Sequence, residues 1–288
     1  MIPLWSKKLS KIKTEEKMDT LIKFTLDTEL QKVLELFEAD DGRSFEEKKE
    51  EAARLLQTVE EPALADVLVD AAAADATAAD IKQRFRAAGE HIYADGGLCL
   101  REVNESDRDG YLAIQQEYYP IKEHLQHESS LQFLWNGHTS PKTLALSILH
   151  DETYVGYCCI NDLTKSPWEI AIELLPAWTR RGIGYAAIRA MLHALYERLG
   201  VTEYRVRIEP TNLASRQLFE KLGAVPAGVS EFWLHDKKKL KQYEEENLSS
   251  IDENLTALAA EFGVEPRTLL SHVLEYRLTR SPDTEDRT

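Results

Sequence analysis

The stretch Glu169-Ile-Ala-Ile-Glu-Leu-Leu-Pro-Ala-Trp-Thr-Arg-Arg-Gly-Ile-Gly-Tyr-Ala-Ala187 gathers the residue types that could do chemistry. Apolar residues ahead of Pro176 predict a strand, and on a strand Glu169 and Glu173, four apart, share a face. Carboxylates so placed can take protons, or they can pair with Arg205 or Arg207 on the next predicted strand. Gly182 and Gly184 fall where the strand gives way to a helix. Backbone N–H groups opening a helix have no intrahelical partner, and without side chains in the way they can face an anion. Arg180 and Arg181 add positive charge at the same place. Alone, such a turn serves equally well as a tight connection.

One helix and one strand later comes Asn212-Leu-Ala-Ser-Arg-Gln-Leu-Phe-Glu-Lys-Leu-Gly-Ala224. This stretch resembles the second motif of the GNAT superfamily of N-acetyltransferases, an Asn followed by an amphipathic helix ending in Lys-Leu-Gly. The earlier stretch resembles that superfamily's acetyl-CoA motif. The resemblance covers about residues 96–235. It implies an acetyl-CoA-dependent N-acetyltransferase acting without a metal, by direct attack of an amine on the thioester in a ternary complex. By the same resemblance the amides of Arg181, Gly182, Ile183, Gly184 and Tyr185, beside Arg180, would bind the CoA pyrophosphate. Asn212 would contact the pantetheine arm, and the edge of the strand ending in Leu174 and Leu175 would pair with that arm as an added strand.

The amine acceptor arrives as an ammonium and must lose a proton before it attacks. Glu169 matches the catalytic glutamate of the histone-acetyltransferase branch and is placed slightly ahead of Glu173, which lies nearer the strand end where the thioester should sit. Two departures stand out. Thr179 occupies the first polar position of the phosphate loop, with Arg180 where a glycine is common. Phe219 stands where many members carry a tyrosine, so no side chain is assigned to protonate the departing thiolate. A thiol of reference pKa near 8.5 leaves at a penalty of about 2 kcal/mol at pH 7, which a water can meet. These departures also suit a rival reading, a catalytically silent GNAT-fold binding module.

The elements that must position these residues begin at Ala94-Asp-Gly-Gly97, where helical spacing gives way to the strand-like Leu98–Val103. That change predicts a helical region over 1–95, opened in part by capping boxes at Ser44 and Thr77. Residues 96–235 are expected to form an α+β (α/β) domain with a mixed central sheet and flanking helices. Its predicted elements include strands at 143–150 and 153–161 joined through Asp151-Glu152, a helix at 183–199, strands at 203–209 and 229–235, and a helix at 212–222. Residues 236–288 predict a helical tail with helices at 250–262 and 266–278. The spacing of Leu258 to His272 also fits a helix-turn-helix, although its second helix lacks the basic surplus that groove binding needs.

Composition limits the partners. With 35 basic and 50 acidic residues the net charge is −15, which opposes phosphate attraction, so nucleic acid is disfavoured and a cationic amine, small or peptidic, is favoured. Cys99, Cys158 and Cys159 form no CxxC pair and lie in apolar runs, as buried thiols of a reducing compartment would. His124 and His127 have no cysteine or carboxylate pattern to complete a metal site. The opening residues hold no uninterrupted apolar stretch, so neither a signal peptide nor a membrane anchor is expected and the location expected is cytoplasmic. The identity of the amine and the oligomeric state are not legible.

Overall fold

The computed structural model describes residues 62–119, 122–231 and 237–280, together with Arg43, Glu47 and Glu51. The helices expected before residue 62 and the tail from Ser281 lie outside the described residues. The described chain falls into two compact units, one holding residues 62–84 and 122–143 and the other residues 85–119, 144–231 and 237–280.

In the first unit, α1 (Pro62–Ala87, continuing into the second) runs for 26 residues without a break. The new helix expected at Thr77 is absent. Thr77 Oγ1 donates back to Ala73 C=O at 3.0 Å, a bond that satisfies its hydroxyl inside a continuing helix. Lys82 Nζ donates to Ser140 C=O at 3.1 Å and Lys142 Nζ meets Asp75 at 3.3 Å, tying α1 to the end of α3 (Glu128–His138).

The second unit is built on one sheet of eight strands in the order β1-β2-β3-β4-β5-β6-β8-β7. These are β1 (His91–Ala94), β2 (Leu98–Glu102), β3 (Leu144–His150), β4 (Thr153–Ile160), β5 (Trp168–Leu174), β6 (Glu203–Ile208), β7 (Val225–Glu231) and β8 (His272–Thr279). Neighbours are antiparallel except β5 and β6, which are joined by the crossover helix α4 (Ile183–Leu199). The remaining helices are α2 (Arg108–Tyr118), α5 (Leu213–Lys221), α6 (Lys237–Glu246) and α7 (Glu253–Glu261).

Two expectations about boundaries are corrected. Ala94 to Gly97 is a hairpin turn, with Gly96 and Gly97 at φ 75° and 74°, and β1 pairs with β2 across it. The sheet therefore starts at His91. The C-terminal stretch is helical only in part: it holds helices at Lys237–Glu246 and Glu253–Glu261, the second close to the helix expected at 250–262, but the helix expected at 266–278 is not formed. After a 3-10 turn at Pro266–Leu270 the chain enters the sheet as β8, which hydrogen-bonds to both β6 and β7. Strand periodicity explains this: Leu274, Tyr276 and Leu278 are each at most 1% exposed, whereas Glu275, Arg277 and Thr279 point away. The same pairing removes the second helix of the helix-turn-helix reading, since its residues are committed to the sheet.

Cross-strand neighbours share a face, so Tyr204, Val206 and Ile208 of β6 lie with Leu274, Tyr276 and Leu278 of β8. This face carries the core: Phe219 of α5 is 1% exposed, and Phe262 just after α7 sets its ring edge-on to Tyr276 at 5.2 Å. The opposite face of the same strands bears Arg205, Arg207, Glu275 and Arg277. Arg198 near the end of α4 donates to the carbonyls of Phe85 (3.1 Å) and Gly89 (2.8 Å), satisfying the open C-terminus of α1.

Candidate active site

The parallel pair at the centre of the sheet is short. β5 and β6 are in register only at Trp168↔Tyr204 and Glu169↔Arg205, and beyond Glu169 the two strands part. On its other side β5 stays paired with β4 up to Leu174↔Gly156. Asn161 N–H donates to Glu169 C=O at 3.0 Å and Leu175 N–H to Val155 C=O at 2.9 Å, so the odd-numbered residues of β5 direct their backbone toward β4. Ile172 and Leu174, by the same alternation, turn N–H and C=O toward the gap. Gly156 permits this close pairing, because a Cβ there would stand 2.4 Å from Glu173 C=O.

At the end of the gap the chain turns through Pro176–Trp178 and enters α4. Arg180 (φ 60°) and Gly182 (φ 80°) both hold left-handed backbone. Arg180 thus adopts, as a non-glycine residue, the conformation in which a glycine is common. No side chain caps α4. Outside the helix interior its first bond is Ala186 N–H to Gly182 C=O at 3.1 Å, leaving the N–H groups of Ile183, Gly184 and Tyr185 without intrahelical acceptors. Gly184 packs over the gap strand: a Cβ there would lie 3.5 Å from Ile172 and 3.4 Å from Leu218 of α5. The cations gather here too, with Arg181 5.1 Å above the Trp178 ring and Lys221 4.5 Å from the Tyr185 ring. An open helix N-terminus flanked by cations is a site for phosphate groups.

The structure treats the two glutamates differently. Glu169 is 7% exposed and enclosed by donors: Arg205 Nη2 at 2.9 Å, Arg207 Nε at 2.8 Å and Nη2 at 3.1 Å, and Asn161 Nδ2 at 3.0 Å. Both of its oxygens are engaged. It joins β5 to β6 at the point where their pairing ends. Glu173, on the same face, is half-buried beneath α2 and receives Tyr157 Oη at 2.8 Å and Gln115 Nε2 at 3.0 Å, both on Oε2. Burial pushes its carboxyl above the ordinary glutamate range, against the opposing pull of the Tyr157 and Gln115 bonds. A carboxylate that holds a proton more tightly than usual is the better base near neutral pH.

The sequence reading missed Tyr157 and Gln115. Tyr157 is the direct cross-strand partner of Glu173. Gln115 follows Tyr111 by one helical turn on the buried face of α2, and a polar residue on such a face was the available signal. α2 is itself pinned by Asp107, which accepts from Arg101 at 2.7 and 2.8 Å, from Asn104 N–H at 3.0 Å and from Ser147 at 2.7 Å.

The remaining expected residues occupy distinct places. Asn212 caps α5, its Oδ1 accepting from Ser215 N–H at 3.1 Å. Phe219 is sealed in the core, Leu174 ends β5, and Leu175 follows it with its N–H donating to Val155 C=O. Among the described residues no group of three His, Cys, Asp or Glu could hold a metal ion. No described helix is long and apolar enough to cross a membrane.

A mixed sheet split between two parallel strands, with a glycine turn and open helix N-terminus at the split, defines the acyl-CoA N-acyltransferase type of fold. Residues 97–225 match the family model described as an acetyltransferase (GNAT) domain. No curated protein matches the chain. Among solved structures, Mycobacterium smegmatis RimJ in complex with CoA-disulfide is 16% identical, covering 69% of this chain and 88% of its own at TM-score 0.45. A putative ribosomal-protein-serine acetyltransferase from Vibrio cholerae is 15% identical, covering 66% and 97% at TM-score 0.44. RimL, a ribosomal L7/L12 alpha-N-protein acetyltransferase in complex with coenzyme A, is 13% identical, covering 67% and 100% at TM-score 0.47.

Proposed function

We propose that the domain transfers an acetyl group from acetyl-CoA to a primary amine by direct attack in a ternary complex, with Glu173 as the base. The observation that carries this is the gap beyond Glu169: an unpaired β5 edge running from a carboxylate to an open, cation-flanked helix N-terminus. Pantetheine would lie along Ile172 and Leu174 as an added strand, and its pyrophosphate would meet the amides of Arg181 to Tyr185 with Arg180 beside them.

Glu173 takes one proton from the ammonium. The freed nitrogen lone pair adds to the thioester carbonyl carbon, the C–S bond breaks, the nitrogen gives its second proton to water, and the products are an amide and CoA. The thiolate takes its proton from water, because Phe219 supplies none and the penalty of leaving unprotonated is only about 2 kcal/mol at pH 7. Glu169 is assigned a structural role, since removing it from two arginines to take a proton would forfeit its ion pairs. The acceptor class is a small or peptidic amine, and the chain's net charge of −15 favours a cationic one at encounter.

The test is calorimetric titration of the full chain with CoA, followed by thiol release from acetyl-CoA against a panel of primary amines. Binding with amine-dependent thiol release supports the reading. Binding without release from any amine marks a silent binding module, and absence of CoA binding removes the reading altogether.

A further inference from the structure

The two donors on Glu173 converge on one oxygen. Tyr157 Oη (2.8 Å) and Gln115 Nε2 (3.0 Å) both reach Oε2, and they come from different elements, β4 and α2. Neither is free to turn away. Tyr157 is 7% exposed and its ring lies 5.5 Å from that of Tyr111, while Gln115 is 6% exposed. Glu169, on the same face of β5, has both oxygens filled by its arginines and Asn161, and therefore does not compete for them.

We infer that Tyr157 and Gln115 are positioning residues for Glu173: by holding Oε2 they fix the carboxylate's plane and leave Oε1 as the oxygen that takes the amine's proton. This rests on the reading of Glu173 as the base. A carboxylate with two bonds on each oxygen, as Glu169 has, presents no free lone pair to a substrate, whereas one held at a single oxygen presents the other in a fixed direction. The donors also oppose the effect of burial. Without them burial would act with less opposition and hold the proton more tightly still, leaving less of the group deprotonated to act as a base. Among the described residues the other titratable groups around the carboxyl are Tyr111 and Tyr118 on α2, Tyr154 and Cys159 on β4, and Glu169 on β5. Burial pushes the tyrosines up, and Cys159 to about 12, so these four remain uncharged at neutral pH.

The experiment is a carbon-13 NMR titration of glutamate side-chain carboxyls in the full chain, with the Glu173 signal assigned by its loss in Glu173→Gln. It needs no substrate. Tyr157→Phe removes one oxygen atom and Gln115→Met keeps the side-chain volume, so each removes one donor with little change in packing. Each is expected to move the Glu173 midpoint upward by about one pH unit, as loss of a hydrogen bond to a charged group should. An unmoved or lowered midpoint in the folded variants overturns the inference. If one variant loses the wild-type amide spectrum, the other decides alone.

Turnover separates this inference from the reading beneath it. Thiol release is followed against pH with acetyl-CoA and spermidine, tyramine or a peptide with a free N-terminus. The rising limb is expected to shift upward with the midpoint in both donor variants. If Glu173→Gln retains wild-type turnover, the base assignment fails, whatever the titration shows. If Glu173→Gln loses the limb while both donor variants keep it unmoved, the positioning role fails and the base assignment stands.

Discussion

Replacing Glu169 by glutamine keeps the shape of the side chain and removes the charge that two arginines share. Arg207 and Arg205 are 18% and 37% exposed, and the carboxylate between them is 8% exposed, so the loss leaves two part-buried guanidinium groups facing a neutral amide. Breaking a buried pair on one side costs about 3–5 kcal/mol. The partial exposure of Arg205, and its second contact with Glu275 at 3.9 Å, place this case at the low end, about 3 kcal/mol. For a chain of this size, each kcal/mol lowers the melting temperature by about 2–4 °C, so Glu169→Gln should melt roughly 6–12 °C below wild type. Circular dichroism melts of the full chain measure it. Below the transition the variant should bind CoA and turn over within a few-fold of wild type. A melting temperature within 2 °C of wild type, or a turnover loss of ~10²-fold in a fully folded sample, would refute the structural role assigned here.

Three further outcomes are expected. Gly184→Asp should fold, because its Cβ meets only ordinary contacts 3.4 Å and more away, yet its carboxylate at the α4 N-terminus should abolish CoA binding in calorimetry; unchanged affinity would misplace the phosphate site. A chain ended at residue 235 should show no cooperative melt, because it lacks β8 and with it the β6–β8 and β7–β8 ladders, whereas a cooperative unfolding transition would mean that β7 can re-pair. Glu173→Gln should be more thermostable than wild type at pH 8. The folded state binds this proton more tightly than the unfolded chain, so wild type loses stability as pH rises from the ordinary glutamate range through the raised pKa. The advantage should shrink toward pH 4, and a variant less stable than wild type at pH 8 contradicts that sign.

How much of this was legible before the structure differs by element. The helix expected at 183–199 is found as Ile183–Leu199, because a strand, a glycine turn and a closing Gly200 bound it on both sides. Asp151-Glu152 was readable as the β3–β4 turn, and both residues hold left-handed backbone there, at φ 46° and 65°. β8 was not readable. Its aliphatic residues follow those of the Pro266–Leu270 turn at intervals that fit a helix, and only pairing with β6 and β7 settles their period as two. The order of the two glutamates could not be settled from spacing either. Which of them faces the arginines follows from the register Glu169↔Arg205, a long-range fact. Tyr157 and Gln115 reach Glu173 from elements whose sequence separations are 16 and 58 residues, beyond any local motif.

The most direct test of the account is the pH dependence of kcat/KM for thiol release from acetyl-CoA, measured on wild type and Glu173→Gln with one accepted amine. The wild-type rate should rise with pH to a plateau as the carboxyl and the amine deprotonate. Glu173→Gln should be slower by about 10²-fold or more near neutral pH, with its remaining rise set by the amine's own ionisation. A Glu173→Gln enzyme that follows the wild-type profile at the wild-type rate would contradict the central claim.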